Sequence, residues 1–552
     1  MRHSIWLLLF VSACARLAPS LSNQPAAHLE KRGNVTQLIV DGQPYLVLGG
    51  ELRNSSSSSV EYMQPIWPKL AKMHLNTVLA AVTWEQIEPE EGKFDFTVVD
   101  GLLRDARRSH LRLILLWFGS WKNGTSRYAP EWVKANQQRF PRVVNSEGKA
   151  LEILSTFSEA NLSADSRAYA ALMRHIGQID SGWHTVIMMQ MQNEVGVLGD
   201  SRDRSPAANA ESGGPVPAEL MDYLKAHKDS LLPEFRKVWE DAGAKPAGTW
   251  QEVFGKGAAA DEIFMAWNYA RYCDSIAAAA KAEYALPTFV NTWIVQPEDK
   301  GPGDYPSGGP VSHVHDVWRA GAPHIDILAP DLYLPEFTDL AARYSRAGNT
   351  LFVPEARAGT IGAAQTFYAI GQHAAIGYSP FAIEERELDP ENGPMAQAYD
   401  VLSQLSPLIL EHQTDGAIGA VLLNQQTPAT QVQLGNYRLN IELRRTRRST
   451  ILPTLGYALF IAIGPDEYLV AGTDVQITFS PTTPGPHIAG LARVEEGRFV
   501  NGTWRPGRLL NGDEVQLTYD LSAAARASQS GAGIRLPAGA PTIQCVKLYR
   551  YQ

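Results

Sequence analysis

From about residue 37 the chain repeats one pattern eight times: a short apolar run followed by a longer stretch of amphipathic or loop-like sequence. The runs are 45–48, 77–82, 111–116, 186–191, 288–290, 325–328, 351–353 and 374–376. Most are aliphatic or β-branched at every position, with no polar alternation. A strand of that kind must be covered on both faces, which is the condition of a parallel sheet wrapped by helices. Between the runs, 62–73, 166–180 and 261–284 carry apolar residues at helical spacing. Strand–helix alternation repeated eight times predicts a (β/α)8 barrel. An open doubly wound sheet is the competing architecture, but no glycine-rich phosphate loop follows any early strand.

The texture changes near Pro407. Beyond it the apolar segments are short (417–423, 431–439, 457–463, 468–470, 475–479 and 514–519), and many are punctuated by Gly, Pro, Asn or Asp. This reads as an all-β sandwich. The division expected is a leader and propeptide at 1–32, a catalytic barrel at 33–406 and a β-sandwich at 407–552. The loop from Gly196 to about Pro217 is long for a compact domain and belongs at the catalytic face of a barrel.

The N-terminus reads as a signal peptide: Arg2 and His3, then an apolar run over 5–13, too short to span a bilayer. Two processing routes compete. Val11-Ser12-Ala13-Cys14 resembles a lipoprotein box that would anchor lipid on Cys14, and Leu29-Glu30-Lys31-Arg32 resembles a dibasic propeptide site. Both place the protein outside the cytosol. Five Asn-X-Ser/Thr triplets, at Asn34, Asn54, Asn123, Asn161 and Asn501, favour a secreted glycoprotein. A net charge of −9 provides no basic excess for nucleic acid. No other stretch reads as a membrane span. Cys273 and Cys545, the two cysteines beyond the leader, are too few for a disulfide framework, and either one bridge or two free thiols fits.

In a barrel the chemistry sits just past the C-terminal ends of the strands. The fourth run ends in Asn193-Glu194 and the seventh in Pro354-Glu355. Strands four and seven face each other across a barrel, so both acids can enter one cleft. A pair of carboxyls suits glycoside hydrolysis, with retention at about 5–5.5 Å separation and inversion at about 6.5–9.5 Å. For either acid alone, an ordinary ion pair is the plainer reading. Trp84, Trp117, Trp121 and Trp293 follow other strands and offer flat faces for sugars, although for any single ring core packing is the better reading. Glu51, Glu85 and Glu384 are candidate acceptors for sugar hydroxyls. His313, His315 and Asp316 have a metal-like look but lack a third ligand by spacing, so no metal and no cofactor is assigned.

Asn193-Glu194 and Glu355 match the pattern of clan A glycosidases. With Gly49-Gly50-Glu51-Leu52, the stretch from Leu75-Asn76-Thr77-Val78 to Trp84-Glu85-Gln86-Ile87-Glu88-Pro89, and Leu116-Trp117-Phe118-Gly119-Ser120-Trp121-Lys122-Asn123, the chain resembles family 35 β-galactosidases over roughly residues 37–550. It departs from them at Arg53-Asn54, where better-known members carry His-Tyr. The resemblance implies a retaining exo-β-galactosidase that acts by double displacement on terminal galactosides of oligosaccharides or cell-wall polysaccharides. It makes Glu355 the nucleophile and Glu194 the acid/base, with Tyr333 bonding the nucleophile and Asn193 a sugar hydroxyl. Another clan A β-glycosidase, such as a β-glucosidase or endo-glucanase, and an inactive carbohydrate-binding protein are the alternatives.

Overall fold

The computed structural model describes residues 24–444, 451–515 and 532–552. Eight parallel strands close into a barrel: β1 (Val47–Glu51), β2 (Thr77–Thr83), β3 (Arg112–Phe118), β4 (Val186–Met191), β5 (Thr288–Trp293), β6 (Ile327–Leu332), β7 (Val353–Ala356) and β8 (Gly377–Pro380). Every residue of β1, β2, β4 and β6 is buried, which is why the runs show no alternation.

Four strands begin two or three residues later than expected, β6 at Ile327 and β7 at Val353 among them. Tyr45 belongs to a separate three-stranded N-terminal sheet, so β1 starts at Val47. The eighth strand begins at Gly377 rather than within 374–376, because Ala374 caps the preceding helix (Gly359–His373) in a left-handed turn. The helix expected over 62–73 is two short pieces, Val60–Met63 and Trp67–Lys72. Pro65, which has no N–H to bond back with, lies between them. The other two helices extend slightly beyond expectation, to Glu159–Asp180 and Ala258–Glu283.

The change of texture at Pro407 falls inside a helix, Pro394–Asp415, which runs through that proline. The all-β region starts after it. One sheet has the order β9-β12-β13-β18-β15-β16, formed by β9 (Ile418–Asn424), β12 (Leu455–Gly464), β13 (Glu467–Thr473), β15 (Ile488–Val500), β16 (Thr503–Leu509) and β18 (Thr542–Tyr551). The other is β10-β11-β14-β17, from β10 (Ala429–Leu434), β11 (Tyr437–Leu443), β14 (Val475–Pro481) and β17 (Ala532–Arg535). The apolar run expected over 514–519 lies mostly outside the described residues.

The sandwich has its own core, including Tyr437, Phe460, Tyr468 and Ile477. The outer face of its larger sheet joins the barrel core through Ala420, Tyr457, Leu459 and Ile543. The fit against helix Gly359–His373 is close. Phe367 and Tyr457 rings lie 4.9 Å apart. A Cβ on Gly371 would come within 2.7 Å of the Ala420 Cβ, so that helix tolerates only glycine there.

Leader residues 2–14 lie outside the described residues. The dibasic segment is part of a strand, His28–Arg32, paired antiparallel with Val35–Val40. Among the described residues no helix is long and apolar enough to cross a membrane. Cys273 and Cys545 are both free. Of the five triplets, Asn34, Asn123 and Asn501 are exposed. Asn161 is fully buried and donates to the Pro141 and Ser155 carbonyls.

Candidate active site

The C-terminal ends of β1, β4, β6 and β7 bring four carboxyls together: Glu51, Glu194, Asp331 and Glu355, all less than a tenth exposed. In the strand register Trp293, Asp331 and Glu355 are neighbours on β5, β6 and β7. Side chains at paired positions of adjacent parallel strands point to the same face, so these three form a row across the barrel mouth.

Glu194 sits past the end of β4 in a left-handed conformation, φ +46°, as does Gln192 at +58°. That is a costly backbone for a residue with a Cβ, and its neighbours hold it in place. Its N–H donates to Asn291 Oδ1 at 3.0 Å, and its carbonyl accepts from Gly124 at 3.0 Å. The Asn193 N–H donates to the Trp121 carbonyl at 3.2 Å. The Asn123 amide donates to the Glu194 carboxylate. Burial, then the charge of Glu355, pushes the Glu194 pKa up to about 7, while Lys122 and the Asp331 carboxyl pull it back. That value suits a group that must give and take a proton near neutrality.

Glu355 accepts from the Tyr333 hydroxyl at 2.6 Å. Its other oxygen is buried with no protein donor, as is one oxygen each of Asp331 and Glu384, and the Asn193 side-chain N–H2 is buried with no protein acceptor. The Asn193 carbonyl oxygen accepts from Lys122 Nζ at 3.0 Å. Buried polar atoms are ordinarily paired. Here four orphans belong to side chains around one mouth, and a polyhydroxylated ligand would supply partners for those of Glu355, Glu384 and Asn193. Burial, then Glu355, also drives Glu51 and Asp331 well above the usual carboxylate range, with Lys122 opposing.

The family model described as β-galactosidase, glycoside hydrolase family 42, matches residues 56–210. Those residues are β-galactosidase-like. A β-galactosidase of Xanthomonas manihotis is 27% identical over 202 residues, which is 34% of this chain and 30% of that enzyme, so the likeness spans under a third of the relative's length. Solved β-galactosidases of Rahnella sp. R3 and Bacillus circulans sp. alkalophilus align at TM-scores of 0.45 and 0.42 and 15% identity each. They cover 69% and 66% of this chain, and 58% and 57% of their own. Residues 395–521 match a domain of unknown function, DUF5597. The β-galactosidase likeness agrees with the expectation from the sequence, whereas the matching family model is that of family 42 and not of family 35.

Of the residues expected at the site, Asn193, Glu194, Tyr333, Glu355, Glu51 and Glu384 come together. Glu384 accepts from the Arg53 N–H at 3.0 Å and the Ser56 hydroxyl at 2.7 Å, which holds it beside Glu51. Glu85 does not join them and pairs with Lys134 at 3.2 Å.

Three tryptophans are fully enclosed, with no ring face open to a sugar. Trp84 donates to Glu88, Trp117 to Asp165 and Trp121 to the Leu154 carbonyl. Trp293 alone of the four is only partly buried. Of the histidine motif, His313 pairs with Glu262 and His315 with the Pro310 carbonyl, while Asp316 accepts from the Leu232 N–H. Among the described residues no cluster could hold a metal ion.

Lys122, Asn123, Asn291 and Asp331 also stand around the mouth, and the sequence reading does not count them among the site residues. Each stands at or just beyond a strand end, in β5, β6 or the loop after β3. That position is the signal by which sequence reasoning could have found them.

Proposed function

We propose that this chain is a secreted, retaining exo-β-galactosidase of the family 35 type. Glu355 attacks the anomeric carbon and forms a glycosyl ester while Glu194 protonates the departing oxygen. Glu194 then takes a proton from water, which cleaves the ester. The observation that carries this reading is the contrast between the two acids. One is held by a tyrosine hydroxyl at 2.6 Å, and the other is buried opposite its charge with a pKa near 7. A nucleophile and a proton donor need those different settings. The unpaired Asn193 amide and Glu384 oxygen supply a donor and an acceptor for the hydroxyls of a terminal sugar. Secretion rests on the leader-like N-terminus, and the galactose preference rests on the family likeness.

A panel of aryl β-glycosides tests the reading. The galactoside is expected to turn over fastest, with first-formed product of retained configuration by NMR. Faster turnover of a glucoside would overturn the sugar assignment, and an inverted product would overturn the roles of the two acids.

A further inference from the structure

The mouth holds more carboxyls than it has cations to balance them, and Asp331 is among those the two-acid mechanism leaves unused. Its surroundings are specific. Asp331 is 3% exposed and stands beside Glu355 in the β6–β7 register. Oδ2 accepts from Asn291 Nδ2 at 2.7 Å, and the same Asn291 accepts the backbone N–H of Glu194 through Oδ1. Asp331 Oδ1 meets no N–H or hydroxyl donor. Asn291 thus ties the Asp331 carboxyl to the turn that carries Glu194, and the two acids face each other. Two carboxyls in that relation repel unless one carries a proton. The groups facing Asp331 are Glu51 from β1, Lys122 after β3, Glu194 after β4, and Tyr333 and Glu355 from β6 and β7. Lys122 is the single cation among them, and the Tyr333 hydroxyl is already committed to Glu355. One ammonium cannot balance Glu51, Glu194, Glu355 and Asp331 together, so Asp331, enclosed by the other three, is favoured as the neutral acid.

We propose that Asp331 is a positioning residue kept as a neutral carboxylic acid, whose O–H donates to the Glu194 carboxylate once Glu194 has given its proton to the leaving oxygen. The inference rests on the reading of Glu194 as acid/base. No proton leaves Asp331. Its hydrogen bond stabilises the Glu194 anion of the glycosyl-enzyme stage and, through Asn291, the left-handed turn on which Glu194 sits.

Asp331→Asn is the isosteric test. An amide accepts from Asn291 through its oxygen and donates to Glu194 through nitrogen, as a neutral acid does. Asp331→Asn is expected to keep kcat/KM within about threefold of wild type and leave the alkaline limb of its pH profile in place. Asp331→Ala, which removes the donor, is expected to lower kcat by about a hundredfold, to leave KM nearly unchanged and to move that limb to higher pH.

If Asp331 works as an anion, Asp331→Asn will instead slow the enzyme and shift the limb to lower pH, and the proposal fails. A second measurement needs no turnover and no alanine variant. Infrared difference spectra of wild type against Asp331→Asn, at about pH 8 where Glu194 is ionised, are expected to show a protonated-carboxyl carbonyl band in wild type only. Absence of that band overturns the neutral acid even in a fully active glycosidase. A band in a wild type inert towards every glycoside would refute the catalytic reading and leave the protonation state standing.

Discussion

Two sets of buried carboxyls lie a few residues apart in this barrel and are treated in opposite ways. Beside the mouth, Asp165 accepts from Trp117, from the Ser120 N–H and hydroxyl, and from Gln192. Glu88, with no solvent exposure, accepts from Trp84, the Gly92 N–H and Arg167. These groups are surrounded by donors, and their function is to hold loops and indoles in place. At the mouth, Glu355 and Asp331 each keep one oxygen without a donor. Both sets are buried. The difference is completeness of hydrogen bonding, and incompleteness marks where a ligand or a proton is expected.

The sharpest way to break this comparison is to neutralise one carboxylate from each set. Glu355→Gln is expected to cost at least about a thousandfold in kcat/KM on an aryl galactoside, with little loss of stability. Glu88→Gln is expected to do the reverse, lowering the unfolding free energy in urea by about 1–3 kcal/mol with kcat nearly unchanged. If the two variants exchange phenotypes, the distinction collapses.

A second test concerns pH. Burial raises the Glu194 pKa from 4.5 to about 7, so the folded protein holds a proton that the unfolded chain releases. The stability tied to it is complete below about pH 4.5 and is lost as pH rises through about 7. Glu194→Gln carries no charge at any pH. Its melting temperature is expected to exceed wild type near pH 8, and the gap to close near pH 4. A gap that widens on acidification would reverse the sign and refute the assigned protonation. The smallest expected effect is at Trp293. Trp293→Ala should raise KM by about tenfold at most, whereas Trp117→Phe should lower the melting temperature and leave KM alone. Calorimetry with parallel kinetics separates the two.

Much of this was legible in the sequence. Eight apolar runs without alternation announce strands covered on both faces, and acids at the ends of the fourth and seventh runs announce the chemistry. The tryptophans show where such reading stops. Residue type and strand-end position do not say that the Trp117 indole N–H finds Asp165 or that Trp84 finds Glu88 on the next turn of a short helix. A carboxylate 48 residues away in sequence turns Trp117 from a sugar platform into a pillar. Asp331 was concealed for a similar reason. Its surroundings come from β1, β4, β5 and β7, and only closure of the barrel creates them.

The helix Gly359–His373 begins three residues after the Glu355 strand ends, and it lies against the larger sheet of the C-terminal sandwich. The appended domain is thus a keel for the nucleophile's own strand. A barrel trimmed of that sheet would keep every catalytic side chain in its sequence yet present Phe367 and the Gly371 face to water. Such an engineered minimal enzyme would forfeit solubility before it forfeited any reacting group.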